Sequence, residues 1–156
     1  MDFKLFFLEI MEASNFTILK FQFQTSSLKV RYCETDQMGF VHHSNYLKYF
    51  ELARLDWLNK LGVSYKKIEE NGILFPVIYS EINYLFPLKF DNLFFVKVGI
   101  EELPVSRLKL NYEIETFENK KICFGKVHLA FLNSINNKPT RAPDKLIFVF
   151  KKNYEL

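Results

Sequence analysis

The sequence predicts an α+β fold in which an antiparallel β-sheet wraps around one long central α-helix. Three observations predict it. Apolar residues recur at three- and four-residue spacing through residues 45–61, and nearly everything beyond Gly72 reads as alternating strands between short turns. Aromatic residues reach 17%, with 18 Phe and 8 Tyr, and aromatics pack well on pleated, half-buried surfaces. An AT-rich coding sequence would enrich the same residue types, so this third observation supports the other two without deciding.

The chain of 156 residues fits one domain, with a core large enough to need no disulfide or metal staple. Residues 1–27 carry no clear motif and form an unassigned N-terminal extension, open to an added strand or an arm, with Met11 as an alternative start. The apolar run at 3–10 is short and broken by Glu9, which argues against a signal peptide. No stretch approaches the roughly 20 apolar residues of a membrane span, so a cytoplasmic location is expected. The domain proper is residues 28–150.

Over 28–34, Leu28, Val30 and Tyr32 share one face of a half-buried strand. Residues 35–43 have no clean period and contain Gly39, which reads as a structured loop. The helix at 45–61 follows, with Tyr46, Phe50, Ala53, Trp57 and Leu61 on one stripe and Leu47, Leu55 and Leu58 widening it. Ser44 or Asn45 can cap its start, and Gly62 stands where a C-terminal glycine belongs. Only a narrow polar strip remains (Lys48, Asp56, Asn59, Lys60), so the rest of the protein should wrap this helix. A short helix is expected at 65–70, closed by Asn71-Gly72. Strands are expected at 74–86, 93–102, 105–118 and 121–133, punctuated by Pro87, Pro104 and Asn119. The short gaps between the last of them favour antiparallel hairpins. Residues 136–139 form a turn, and 143–150 is open to a helix starting at Pro143 or a strand. A sheet covered by one helix leaves an edge and part of a face bare, so pairing with a second copy is expected.

The net charge of +3, with no Lys/Arg run longer than two, gives no basis for nucleic-acid binding. Cys33 and Cys123 form no CxxC pair or zinc-like spacing, so no metal is expected, and both read as small core residues in a reducing compartment. No Gly-rich phosphate loop is present.

The chemically dense segment is 34–54. It joins a strand end to the N-terminus of the central helix, where amide N–H groups lack helical partners and carry partial positive charge. Such groups can stabilise an oxyanion, and a carboxylate just upstream, Asp36, can attack a carbonyl carbon or activate water. On residue chemistry alone Asp36 is equally a cap or a loop acceptor.

Thr35-Asp36-x-x-Gly39-x-Val41-x-x-x-x-Tyr46-x-x-x-x-Glu51-x-Ala53-Arg54 resembles the 4-hydroxybenzoyl-CoA thioesterase family of hotdog proteins, in the branch that includes the bacterial acyl-CoA thioesterases of the Tol–Pal gene cluster. The likeness covers about residues 28–150. It implies the hotdog fold, a dimer or tetramer of dimers, and hydrolysis of an acyl-CoA. It places the catalytic acid on Asp36 and a carbonyl-binding backbone N–H within residues 41–43. His43 matches a histidine of part of the family and could polarise the carbonyl or protonate the leaving thiolate. Glu51 is a second catalytic candidate, because some relatives use an acidic residue at this helical position; its spacing to Arg54 also fits a structural ion pair.

The substrate-binding candidates are Met38, Gly39, Phe40, Val41, His42, Tyr46 and Phe50; Met38, Phe40 and Phe50 suit an apolar or aromatic acyl group. Arg107 and Lys109, after the Pro104 turn, are candidates for the phosphates of coenzyme A, which enters as part of the substrate; no resident cofactor is expected. Glu34 shares strand parity with Asp36, but no sugar-binding signal accompanies that carboxylate pair. The alternatives are an acyl-carrier-protein thioesterase, a hydratase, against which Val41 stands where that group places a histidine, and a non-catalytic module.

Overall fold

The central helix α1 (Ser44–Lys60) lies across a curved antiparallel sheet in the computed structural model, which describes residues 21–154. The apolar run at 3–10 and the start at Met11 lie outside the described residues. Strands β1 (Phe23–Gln24) and β2 (Leu28–Lys29) both pair with β5 (Leu93–Gly99). The sheet then continues through β6 (Arg107–Thr116) and β7 (Lys121–Ala130) to β4 (Val77–Tyr84). A small second sheet pairs β3 (Ile73–Leu74) with β8 (Leu132–Asn133). Helix α2 (Tyr65–Glu70) is capped by the Ser64 side chain, and α3 (Asp144–Asn153) follows Pro143. This is the expected α+β hotdog arrangement.

Each inner surface follows from its period. On β6, Leu108, Leu110, Tyr112 and Ile114 are buried, and α1 lays Tyr46, Tyr49, Phe50, Ala53, Trp57 and Leu58 on the sheet. Phe50 stacks on Tyr112 with ring centroids 4.3 Å apart. Gly125 of β7 makes this closeness possible, because a Cβ there would stand 2.7 Å from Phe50 Cε2 and 2.5 Å from the Glu81 carbonyl oxygen.

Several expectations are corrected. The first strand does not run to residue 34. It stops after Lys29, and residues Tyr32–Glu34 form a 3-10 turn that leaves Tyr32 exposed. The sheet instead gains β1 from the extension. Helix α1 is not wrapped all round: one sheet covers one face, and Leu47 and Leu52 face outward at 39% and 40% exposure. Arg54 is buried and Cys33 is exposed, contrary to the core role expected for that cysteine. Segments 74–86 and 121–133 each break into two strands. Segment 143–150 is helical, because Leu146, Val149 and Phe150 reach the core only at helical spacing. Among the described residues β4 pairs on one side only, and Val77, Ile78 and Tyr79 are exposed along it.

Candidate active site

Beyond the end of strand β2, Glu34 folds back on its own 3-10 turn. Its carboxylate accepts the Arg31 N–H at 2.8 Å and two guanidinium N–H groups at 2.9 and 2.7 Å. Tyr49 of α1 donates its hydroxyl to the same carboxylate at 2.8 Å. Burial alone would raise the Glu34 pKa, but the bonds from Arg31 and Tyr49 outweigh it and hold the group below the ordinary carboxylate value. Burial, reinforced by Glu34, pushes the Tyr49 hydroxyl up. The Glu34 main-chain carbonyl accepts from Asn45 Nδ2 at 2.9 Å and from the His42 N–H at 2.8 Å. Glu34 therefore clamps the loop to α1 and does not pair with Asp36.

Residues 35–41 form a tight hairpin, with Thr35 bridged to Val41. The Asp36 N–H donates to the Phe40 carbonyl at 2.8 Å, and the Gly39 N–H donates to the Asp36 carbonyl at 2.9 Å. Asp36 Oδ1 accepts the Met38 N–H at 2.9 Å. Gly39 has φ of +76°, a region L-residues rarely adopt. The Val41 N–H donates to the Leu88 carbonyl at 2.8 Å, which ties the hairpin to the segment after β4.

Of the donors expected at residues 41–43, those of Val41 and His42 are thus engaged. The His43 N–H meets no acceptor among the described residues and stands immediately before the first helical residue, Ser44. The helix terminus gives it partial positive charge.

Asp36, His43, Met38, Phe40, Val41 and Tyr46 line one cleft of about 360 Å³. Its other wall is Tyr84, Leu85, Phe86 and Pro87, which sequence reasoning missed. Tyr84 donates its hydroxyl to the His43 carbonyl at 3.2 Å and meets Tyr46 edge-on at 5.1 Å. The Tyr46 hydroxyl accepts the Leu88 N–H at 3.4 Å, and burial pushes its pKa up to about 12, so it stays neutral near pH 7. Pro87 was visible as a strand terminator, but only the topology brings that strand end to the Asp36 hairpin.

Other candidates lie outside this cleft. Gly39 shapes the hairpin. His42 Nδ1 lies 2.8 Å from Ser44 Oγ, and its ring packs on that of His43. Phe50 is buried against Tyr112. Glu51 is exposed, about 12 Å along α1 from His43, with Oε1 3.9 Å from Arg54 Nη2. Arg107 and Lys109 are exposed near the start of β6. Lys109 Nζ is 2.7 Å from Glu102 and lines a separate cavity that also contains Glu81 and Glu101. Cys123 is buried, which pushes its thiol up and keeps it unreactive. Among the described residues no cluster of His, Cys, Asp and Glu could hold a metal, and no helix is long and apolar enough to cross a membrane.

A sheet curled round a single long helix, with Asp36 and His43 lining one cleft at the helix start, has the architecture of hotdog-fold thioester hydrolases. The model of the thioesterase-like superfamily matches residues 30–148, and the chain belongs to that family. A DHNA-CoA thioesterase of Staphylococcus aureus superposes with a TM-score of 0.77 at 31% identity, covering 83% of this chain and 89% of that one. An Aquifex aeolicus protein named "Putative esterase" is 32% identical over 123 residues, 79% of this chain and 94% of its own. The acyl-CoA thioester hydrolase YbgC of Escherichia coli O157:H7 is 23% identical over 125 residues, 80% and 93% of the two chains.

Proposed function

We propose that this chain hydrolyses a small acyl-CoA thioester to the free acid and CoA, as a member of the 4-hydroxybenzoyl-CoA branch of its family, with Asp36 as the catalytic carboxylate. The supporting observation is that Asp36 and His43 line the same cleft and that the His43 N–H has no acceptor among the described residues. The thioester carbonyl oxygen accepts the His43 N–H. The Asp36 carboxylate either attacks the carbonyl carbon or takes a proton from a water that does so. Charge then collects on the carbonyl oxygen, where one well-placed donor typically lowers the barrier by roughly 3 kcal/mol. The carbon–sulfur bond breaks and the thiolate takes a proton, for which the His43 imidazole at the cleft is the donor on hand. In the nucleophilic route, water finally cleaves the mixed anhydride on Asp36. Met38, Phe40 and Tyr84 receive an apolar or aromatic acyl group.

On the same reading the enzyme works in the cytoplasm as a homo-oligomer, a dimer or tetramer of dimers. The one-sided strand β4, with Val77, Ile78 and Tyr79 exposed, supports pairing with a second copy.

Thiol release from short-chain, long-chain and aromatic acyl-CoAs, by wild type and Asp36→Asn, tests this reading. Asparagine keeps the oxygen that accepts the Met38 N–H, so the hairpin survives while carboxylate chemistry is lost. A drop of at least about a hundredfold is expected. An undiminished mutant would remove Asp36 from the mechanism. A wild type active only on carrier-protein thioesters would change the carrier and keep the chemistry.

A further inference from the structure

Outside the Asp36 cleft, two neighbouring turns raise an aromatic pair to the surface, and we infer that this pair, Tyr32 and Phe90 with the cations beside them, docks the protein on an anionic lipid bilayer. Tyr32 is 78% exposed and Phe90 53% exposed, and their rings meet edge-on with centroids 5.6 Å apart. A single exposed aromatic is ordinary, but these two stand together on stiff supports. Tyr32 opens the 3-10 turn Tyr32–Glu34, which the Glu34 carboxylate ties to Arg31. Phe90 stands at the corner of a tight turn, closed by the Asn92 N–H donating to the Lys89 carbonyl at 3.1 Å and the Lys89 N–H donating to Asn92 Oδ1 at 2.8 Å. The backbone joins the two turns: the Asp91 N–H donates to the Val30 carbonyl at 3.1 Å, and the Val30 N–H donates to the Asn92 carbonyl at 3.0 Å. The pair therefore loses little freedom when something covers it.

The chemistry around the rings names the occupant. Arg31 and Lys89 adjoin the two aromatics in the chain, Lys29 lies one strand residue earlier, and all three are exposed. Of the carboxylates nearby, Glu34 is buried under its own turn and Asp91 is held by Lys29 at 2.6 Å. Lys89 makes no ion pair among the described residues. The outward charge of the patch is therefore positive. A protein partner needs a broad complementary surface, about 800 Å² on each side, whereas these turns present two convex tips. A fluid bilayer moulds round such tips. It takes Tyr and Phe rings at the level of the headgroups and holds Lys and Arg against anionic lipid. Lys89 Nζ also lies 5.6 Å from the ring centroid of Phe40, a wall of the cleft, so the docked face adjoins the cleft mouth. Docking goes beyond the hydrolytic reading and does not depend on it.

Cosedimentation of the full chain with vesicles tests the inference, using phosphatidylcholine alone and phosphatidylcholine mixed with phosphatidylglycerol in equal parts. Wild type should bind the anionic vesicles at least about fivefold more tightly than the neutral ones, the scale of one unpaired cation at a charged surface. Lys89→Gln should remove most of that preference. Replacing Tyr32 and Phe90 together by alanine should weaken binding to the anionic vesicles by at least about tenfold, the scale of burying one aromatic side chain. Phe90→Trp serves as a second probe that keeps an aromatic ring in place. Trp57 is buried, so the new indole reports the patch, and its emission should shift to the blue when anionic vesicles are added. Absence of vesicle binding by wild type overturns the inference, including where an acidic carrier protein binds the same residues instead. Equal binding to the two kinds of vesicle, binding that survives the alanine pair, or an indole emission that does not move also overturns it. None of these measurements uses a thioester, so a failure of thiol release would refute the hydrolytic reading and leave this result untouched.

Discussion

Replacing Tyr49 by phenylalanine removes a single hydrogen bond from the clamp beneath the Asp36 hairpin. The phenol donates to Glu34 Oε2 at 2.8 Å, and both residues are buried, at 6% and 5% exposure. Arg31 still donates to both carboxylate oxygens in the variant, so the carboxylate keeps partners and stays ionised near neutral pH. A hydrogen bond to a charged acceptor contributes about 1.5–3 kcal/mol, and with partial compensation by Arg31 the loss should be about 2 kcal/mol. For a chain of this size that lowers Tm by about 4–8 °C. The effect must depend on pH. Glu34 titrates below its ordinary 4.5 in the folded protein, partly because of Tyr49. The stability this contributes is present above the unfolded pKa and is lost as pH falls through the folded pKa. A protonated Glu34 accepts only a neutral bond, worth about 1 kcal/mol. The difference between wild type and Tyr49→Phe should therefore shrink by about half as pH falls below 4.5. Urea unfolding of both proteins, stepped from neutral pH downward, measures this. A difference under about 0.5 kcal/mol near pH 7, or one that stays flat through the carboxylate range, would refute the clamp.

Gly125→Ala should cost about 3 kcal/mol in urea unfolding, because its Cβ would press on the Glu81 carbonyl oxygen at 2.5 Å and on Phe50 at 2.7 Å; a cost below about 1 kcal/mol would mean that β4 yields easily. Gly39→Ala meets no atom within 4 Å, so only its φ of +76° matters. It should cost about 1–2 kcal/mol, and Gly39→Asn less, since asparagine tolerates that region; equal costs for the two would show that the strain lies elsewhere. Thiol release by Tyr49→Phe should stay within severalfold of wild type, because the His42 N–H is held by the Glu34 carbonyl and not by its carboxylate; a loss matching that of Asp36→Asn would tie Tyr49 to the chemistry itself.

Much of this fold was legible because it rests on periods. The stripe through Tyr46, Phe50, Ala53 and Trp57 fixes both the helix and its buried face, and the alternation of Leu108, Leu110, Tyr112 and Ile114 fixes the inner face of β6. What escaped depends on partners distant in sequence. Glu34 looks like a strand residue, yet it closes a 3-10 turn in which its carboxylate is held by Arg31. Glu113 and Glu115 sit at outward positions yet are buried, because Lys97 from the neighbouring strand pairs with both and Lys121 lies 2.8 Å from Glu113. Leu47 fits the apolar stripe, but a single sheet does not reach round to it. In the site, the Asp36 hairpin is local and could be read from its motif, whereas the Tyr84–Pro87 wall needed the strand order.

The interval between Asp36 and His43 follows from where the backbone donors go. Across the join of hairpin and helix, the Val41 N–H goes to Leu88, His42 to Glu34, Ser44 to His42 Nδ1 at 3.4 Å, Asn45 to the His42 carbonyl and Tyr46 to the His43 carbonyl. His43 is the gap in that series. Val41 must point inward, where it is 5% exposed, so its backbone meets the Leu88 segment. His42 must turn back to Glu34, because that carbonyl also holds Asn45 and so sets where α1 begins. Only the next residue, His43, keeps an N–H without an acceptor among the described residues, and it lines the cleft with Asp36. Adding or deleting one residue between Gly39 and His43 would move the gap away from Asp36 and reverse the inward side of Val41. The Thr-Asp-x-x-Gly-x-Val spacing is in this sense a geometric requirement: the turn at Gly39 returns the chain, Val41 anchors it, and the helix then starts just after His43, whose N–H has no acceptor among the described residues and which lines the cleft with Asp36.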